Sequence, residues 1–225
     1  KWKNIQHRKG KQDALRGKIF TKITKEIFVA VKEGGDDPQN NLRLKMALQK
    51  ARDNNMPNDN IERTIKKATG DLEGVVYEEI IYEGYGPGGV AVLVECLTDN
   101  RNRTAADVRH AFSKHGGNLG ESGCVSFLFQ RKGVLTLNNE EGEWDEEDVM
   151  MAALEAGAED VTSDDEELEI ITTPGDYMTV KEGMEEQGYH FSSSEITMVP
   201  STTVNLTGDD AVKMLKLMEA LEEND

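Results

Sequence analysis

Between Tyr82 and Thr104 the chain reads YEGYGPGGVAVLVECLTDNRNRT. Gly84, Gly86 and Gly89 stand at the spacing G-x-G-x-x-G, with which a loop can cradle a dinucleotide pyrophosphate. Arg101 and Arg103 follow, two guanidinium groups that could grip a phosphate. Such a cradle needs a strand, the glycine turn and then a helix, because the pyrophosphate rests on the helix N-terminus. Here the glycines lead into VAVLVECL, where Val90, Val92 and Val94 alternate as in a strand. The glycine run is therefore expected to be a hairpin tip. Pro87 presets one turn angle, and Gly86, Gly88 and Gly89 permit positive φ.

The arginines have two readings. Arg101 and Arg103 are expected in the turn before a helix that begins near Thr104, with Thr104 and Asp107 as a capping box. Arg109, His110 and Lys114 continue along that helix. They can pair with the chain's own carboxylates, or hold a phosphate where backbone N–H groups already favour anions. Other chemistries find no support. His7, His110, His115 and His190 are scattered, and Cys96 and Cys124 form no C-x-x-C pair, so no metal or cofactor is expected. Neither G-x-S-x-G nor G-x-x-x-x-G-K-[ST] occurs, and no carboxylate pair is marked, so no catalytic residue is assigned and an enzyme is not expected.

Charge points to a partner instead. The net charge is −17, yet residues 1–74 carry 17 Lys and Arg against 10 Asp and Glu, a net +7, leaving −24 for the remainder. The opening KWKNIQHRKGKQ places Lys1, Lys3, Arg8, Lys9 and Lys11 with His7 and Trp2 before the first acid, Asp13. That composition suits a basic arm following a phosphate backbone, with Trp2 to stack on a base or ribose. Arg16, Lys18, Lys22 and Lys25 extend it along the first helix, and Arg63, Lys66 and Lys67 along the third. The acidic runs at 140–148 and 164–169 read as solvated faces, or as surfaces that dock a basic protein. No apolar run reaches the roughly 18–20 residues that span a bilayer. The opening lacks the apolar core of a secretory signal, and the two thiols read as reduced and buried, as in a cytosolic protein.

Three segments must position these residues. In the first, Leu15, Ile19, Ile23, Ile27 and Val31 recur four apart, widened by Phe20, Phe28 and Ala30, and Gly34-Gly35 supplies a stop. A second helix follows Pro38, and a third follows Asn58 or Asp59. No strong helix-turn-helix turn is visible between them, nor a dimerisation stripe, so a monomer is expected. From residue 75 come two strands, the helix TAADVRHAFSKHGG, and the strand-like CVSFLFQ and GVLTL. From residue 133 the order βαββαβ is ferredoxin-like. The last helix, with Val212, Leu215, Leu217 and Met218 to bury, has no place in that unit and is expected to pack on the middle segment. The fold class is α+β: a three-helix domain (1–74), a discontinuous α/β sandwich domain (75–132 with 200–225) and a ferredoxin-like one (133–199).

KWKNIQHRKGKQDALRGKIFTKITKEI, the glycine-hairpin segment, VRHAFSKHGGNLGESGCVSFLF and AALEAGAEDV together resemble the YebC family over nearly the whole chain. The family's usual Met-Ala-Gly-His-Ser does not precede Lys1-Trp2, and the family usually continues past the last acidic stretch. The resemblance implies the same three-domain plan and a non-enzymatic cytoplasmic factor in gene expression. Bacterial members are labelled probable DNA-binding transcriptional regulators. Mitochondrial relatives are translational activators associated with the ribosome, and bacterial members are linked to relief of stalling on proline-rich stretches, which implies as alternative partners rRNA or tRNA on the ribosome, with ribosomal proteins nearby.

Overall fold

Amphipathic helices open the chain in a computed structural model that describes residues 12–70, 74–164 and 166–224, with side chains from residue 17. Helix α1 spans Gln12–Gly34, α2 Leu42–Asp53 and α3 Asn58–Gly70. Ile23, Ile27 and Val31 face a core shared with Leu44, Leu48 and Ala51 of α2 and Ile61 and Ala68 of α3. Each fully buried aliphatic side chain contributes about 1.5–3 kcal/mol there. Ile19, on the same stripe, is 38% exposed and stands outside the core.

The ends of α1 and α2 are locked together by chemistry the sequence carries. Gly35 takes φ +86°, and its N–H donates to Val31 O at 2.8 Å, a left-handed helix stop. Asn41, buried, accepts from Leu44 N at 3.2 Å and donates through Nδ2 to Ala30 O at 2.7 Å. One carboxamide thus caps α2 and satisfies a carbonyl of α1. The connection from α2 to α3 is four residues, with Asn55 left-handed at φ +57°. That is a tight helix-to-helix turn the sequence reading did not pick out.

The middle segment is built on strands β1 (Glu78–Tyr85), β2 (Ala91–Thr98) and β3 (Asn118–Leu119), antiparallel in the order β2-β1-β3, with helix α4 (Arg101–Lys114). β1 and β2 form the expected hairpin, with Tyr85 opposite Ala91. Two expectations are corrected. Helix α4 starts three residues earlier than Thr104, because Asn100 Oδ1 accepts from Arg103 N at 3.0 Å and serves as the cap. Thr104 instead is buried and donates its hydroxyl to Thr98 Oγ1 at 2.7 Å. The run CVSFLFQ is not one strand: residues 120–126 loop back across β1 and Ser126–Leu128 form a 3-10 turn.

The cause is Glu83. This strand residue is 4% exposed, and its carboxylate accepts from the backbone N–H groups of Val125 (3.1 Å), Ser126 (2.5 Å) and Gly123. Those bonds hold its pKa below the usual glutamate value, against the opposing effect of burial.

The chain divides into two compact units, one of Lys1–Ser126 with Val204–Asp225, the other of Phe127–Thr203. The last helix, α7 (Gly208–Glu222), lies in the first unit, and Leu217, with Met214 and Leu221, joins the core of Val108, Ala111 and Phe112. Its buried face is Met214–Leu217–Leu221 and not one containing Val212, which is 50% exposed. The second unit runs β4 (Phe129–Asn138), α5 (Glu146–Ala156), β5 (Asp160–Asp164), β6 (Glu167–Thr172), α6 (Tyr177–Glu186) and β7 (Ser193–Pro200). Its sheet order is β5-β6-β4-β7, all pairs antiparallel, the split βαβ arrangement. Leu135 and Leu137 on β4 pair with Ile170 and Leu168 on β6, and all four are buried. Among the described residues there are seven helices and two antiparallel sheets, an α+β fold.

Candidate nucleic-acid interface

The glycine hairpin is a seat for α7. A Cβ on Gly86 would lie 2.5 Å from Met214 Sδ and 3.4 Å from Leu217 Cδ2. Gly86 itself has φ −87°, so close approach and not positive φ is what requires glycine there. At Gly88, φ is +76° and a Cβ would meet Leu206 Cδ2 at 2.6 Å and Asp210 Oδ2 at 3.5 Å. The place a pyrophosphate would take is filled by an apolar side chain and a carboxylate.

Of the residues assigned to nucleic acid from sequence, Lys1, Trp2, Lys3, His7, Arg8, Lys9, Lys11 and the side chain of Arg16 lie outside the described residues. Lys18 and Lys22 have partners within the chain. Lys18 Nζ donates to Glu223 O at 3.1 Å, and Lys22 Nζ to Glu222 O at 2.6 Å, with the Glu222 carboxylate 3.5 Å away. These are terminal carbonyls of α7, where a helix has unsatisfied acceptors and partial negative charge. Lys25 likewise reaches Leu97 O at 3.3 Å. The inner part of the basic helix thus caps the last helix of the chain.

Arg101 and Arg103 sit in the first turn of α4 and pair with Glu78 (3.1 Å) and Asp99 (3.0 Å). Of the two readings open to them, the structure shows the internal one. Both side chains are about half or more exposed, and such pairs are worth only about 0–1 kcal/mol, so exchange for another anion costs little.

Arg109 and Lys114 differ. Both are exposed on α4, and neither has a hydrogen bond or ion pair among the described residues. Lys114 belongs to a cluster that includes side chains from both ends of the middle segment. His115 closes α4, and its pKa is pushed down by burial and then by Lys114, Lys216 and His110. Lys213, one turn before Lys216 on α7, lies with Cδ 3.6 Å from where a Cβ on Gly116 would stand. Five cationic or basic groups, His110, Lys114, His115, Lys213 and Lys216, gather without a carboxylate partner among the described residues, in a chain holding 43 acids. Sequence reasoning missed Lys213 and Lys216, since only the docking of α7 on α4 brings them there. Arg63, Lys66 and Lys67, whose side chains have no hydrogen bond or ion pair among the described residues, line the exposed side of α3.

Other site chemistries are thin. Cys96, buried, and Cys124, half-buried, are not joined in a disulfide. No group of three or more His, Cys, Asp or Glu among the described residues is placed to hold a metal. No helix among them is long and apolar enough to cross a membrane.

Family models for the TACO1/YebC N-terminal domain and for the TACO1/YebC second and third domain match residues 1–71 and 77–225. The chain belongs to the TACO1/YebC family. Relatives of this family member named "probable transcriptional regulatory protein" include one from Geobacillus thermodenitrificans, 59% identical over all of this chain and 91% of its own length. Another, from Natranaerobius thermophilus, is 57% identical over all of this chain and 90% of its own. A crystal structure of a conserved hypothetical protein from Aquifex aeolicus matches with a TM-score of 0.83 at 50% identity, covering 93% of this chain and 86% of that one. By these relatives the chain is grouped with probable transcriptional regulators.

Proposed function

We propose that the protein is a non-enzymatic regulator that binds duplex DNA through the first unit. The observation that carries this is the uncompensated cluster of His110, Lys114, His115, Lys213 and Lys216. Lysines with no partner among the described residues, in so acidic a chain, are arranged to meet an external polyanion. The turn at Asn55 sets α3 after α2 with Arg63, Lys66 and Lys67 outward, the kind of short helix pair that can present a helix to a major groove. The basic arm from Lys1 to Lys11 adds further phosphate contacts, and Arg101 and Arg103 can exchange their carboxylates for phosphates.

A second reading, binding to rRNA or tRNA on the ribosome, draws on Tyr85. It is 42% exposed at the end of β1 and offers a ring on which an unpaired base can stack.

The test is fluorescence anisotropy with a labelled 30-base-pair duplex and a structured RNA of equal charge, titrated across salt. Each phosphate contact contributes a slope of about −0.9 in log K against log salt for duplex. Changing Lys114, Lys213 and Lys216 together to alanine should flatten that slope by about 2–3. An unchanged slope removes the cluster from the interface. Preference for the RNA, with Tyr85→Ala weakening it and not the duplex, favours the second reading.

A further inference from the structure

Residues 127–203 hold three Lys and Arg against twenty Asp and Glu, a net charge of −17 that equals that of the whole chain. Those three cations do not soften its surface. Lys181 is buried and paired with Glu185, Lys132 pairs with Glu159 at 2.7 Å, and Arg131 is also engaged. On this unit α5 carries a ridge that the fold does not use. Val149, Ala152 and Ala153 turn inward, while Met150, Met151 and Leu154 are 44%, 62% and 51% exposed. Positions 147, 150, 151 and 154 share one helix face, so Glu147 heads the ridge, and the exposed Glu146, Asp148 and Glu155 flank it.

We infer that the α5 ridge docks a basic amphipathic segment of a partner protein, its apolar side chains on Met150, Met151 and Leu154 and its lysines or arginines on the surrounding carboxylates. Charge complementarity selects this occupant. A nucleic acid or an anionic membrane would be repelled by −17, and a second copy of this ridge would bring like charges together. Thioether side chains are unbranched and polarizable, and fit partners of varied shape. An apolar strip rimmed by acids is the surface onto which a basic helix lays its i, i+3, i+4 anchors. Lysine and arginine stems add apolar contact while their heads reach the rim.

Full-length protein with 13C-methyl methionine is titrated with an 18-residue Leu/Lys peptide of helical periodicity, and with a control in which every leucine is serine. The Met150 and Met151 methyl signals should shift with the first peptide and not the second. Met150→Ser with Met151→Ser and Leu154→Ser, all exposed, should weaken binding at least tenfold while the remaining methyl signals stay in place. Equal binding of both peptides, binding unchanged in the triple variant, or shifts confined to other methionines would overturn the inference. So would loss of self-association in the triple variant on light scattering, which would make the ridge a contact between copies. None of these readouts depends on the nucleic-acid reading.

Discussion

Glu83 accepts a hydrogen bond from the backbone N–H of Ser126 at 2.5 Å, across 43 residues of sequence. A single strand carboxylate thereby replaces a whole strand pairing. Three amides of the loop at 120–126, those of Gly123, Val125 and Ser126, are satisfied by one buried anion, with Gly120 N donating to Glu83 O at 2.8 Å beside it. An anion held by three N–H groups is stable where a neutral side chain would leave donors orphaned.

Glu83→Gln should therefore cost about 2–3 kcal/mol in urea denaturation at pH 7. The carboxylate's folded pKa is depressed, so its stabilisation is complete above the unfolded value of about 4.3 and is lost as pH falls through the folded pKa. The gap between wild type and variant should narrow below about pH 4. A gap that stays constant from pH 7 to pH 3 would show that shape and not charge holds the loop.

Gly86→Ala places a methyl group against Met214 Sδ, the far end of a flexible side chain. We expect a loss of about 1–3 kcal/mol, recovered in good part by adding Met214→Ala. Gly84→Ala offers the contrast, since its Cβ would meet the backbone Asn118 O at 2.5 Å. No side-chain truncation should rescue it. Thermal melts of these three variants decide between the two kinds of crowding.

Asn100→Ala removes the side-chain acceptor at the start of α4 and should cost about 1 kcal/mol. Substitution of Asp107, which the structure leaves out of the cap, should cost far less. A reversal of that order would restore a capping box at Thr104.

His115 titrates below the usual histidine value because burial and the neighbouring Lys114, Lys216 and His110 disfavour its charged form. A polyanion that neutralises those neighbours should raise its pKa. Binding would then take up protons between the depressed pKa of the free protein and the higher one of the complex, and affinity would rise as pH falls through that window. NMR titration of the His115 ring with and without duplex DNA measures this directly. An unmoved pKa would place the polyanion elsewhere.

The helices were legible because their cores lie on sequence-local stripes: Ile23, Ile27 and Val31, or Val108, Ala111 and Phe112. The hairpin was legible because Val90, Val92 and Val94 exclude a helix after the glycines. What sequence did not disclose were contacts whose partners lie far along the chain. Lys18 and Lys22 look like any basic helix face until α7 presents its carbonyls to them. Lys213 and Lys216 look like the solvated side of a helix until α7 brings them beside Gly116 and His115. Glu83 sits among Glu78, Glu79 and Glu95, and nothing local marks it as the buried one. Val212 was misassigned for a related reason: α7 is apolar on more than one side, and only the position of Gly86 selects which side faces in.

The seating of Met214 and Leu217 against residues 84–117 has a consequence for biosynthesis. The first unit is interrupted by seventy-odd residues that pair only among themselves in their sheet. On a translating ribosome that insert can complete its own sheet while the host around it still waits for its closing helix. Until residues 204–225 emerge, Gly86 faces no side chain and Phe112 lacks one wall of its pocket. Completion of the first unit is thus gated by α7, and nascent chains truncated within α7 should be protease-sensitive around the hairpin while the insert is already resistant.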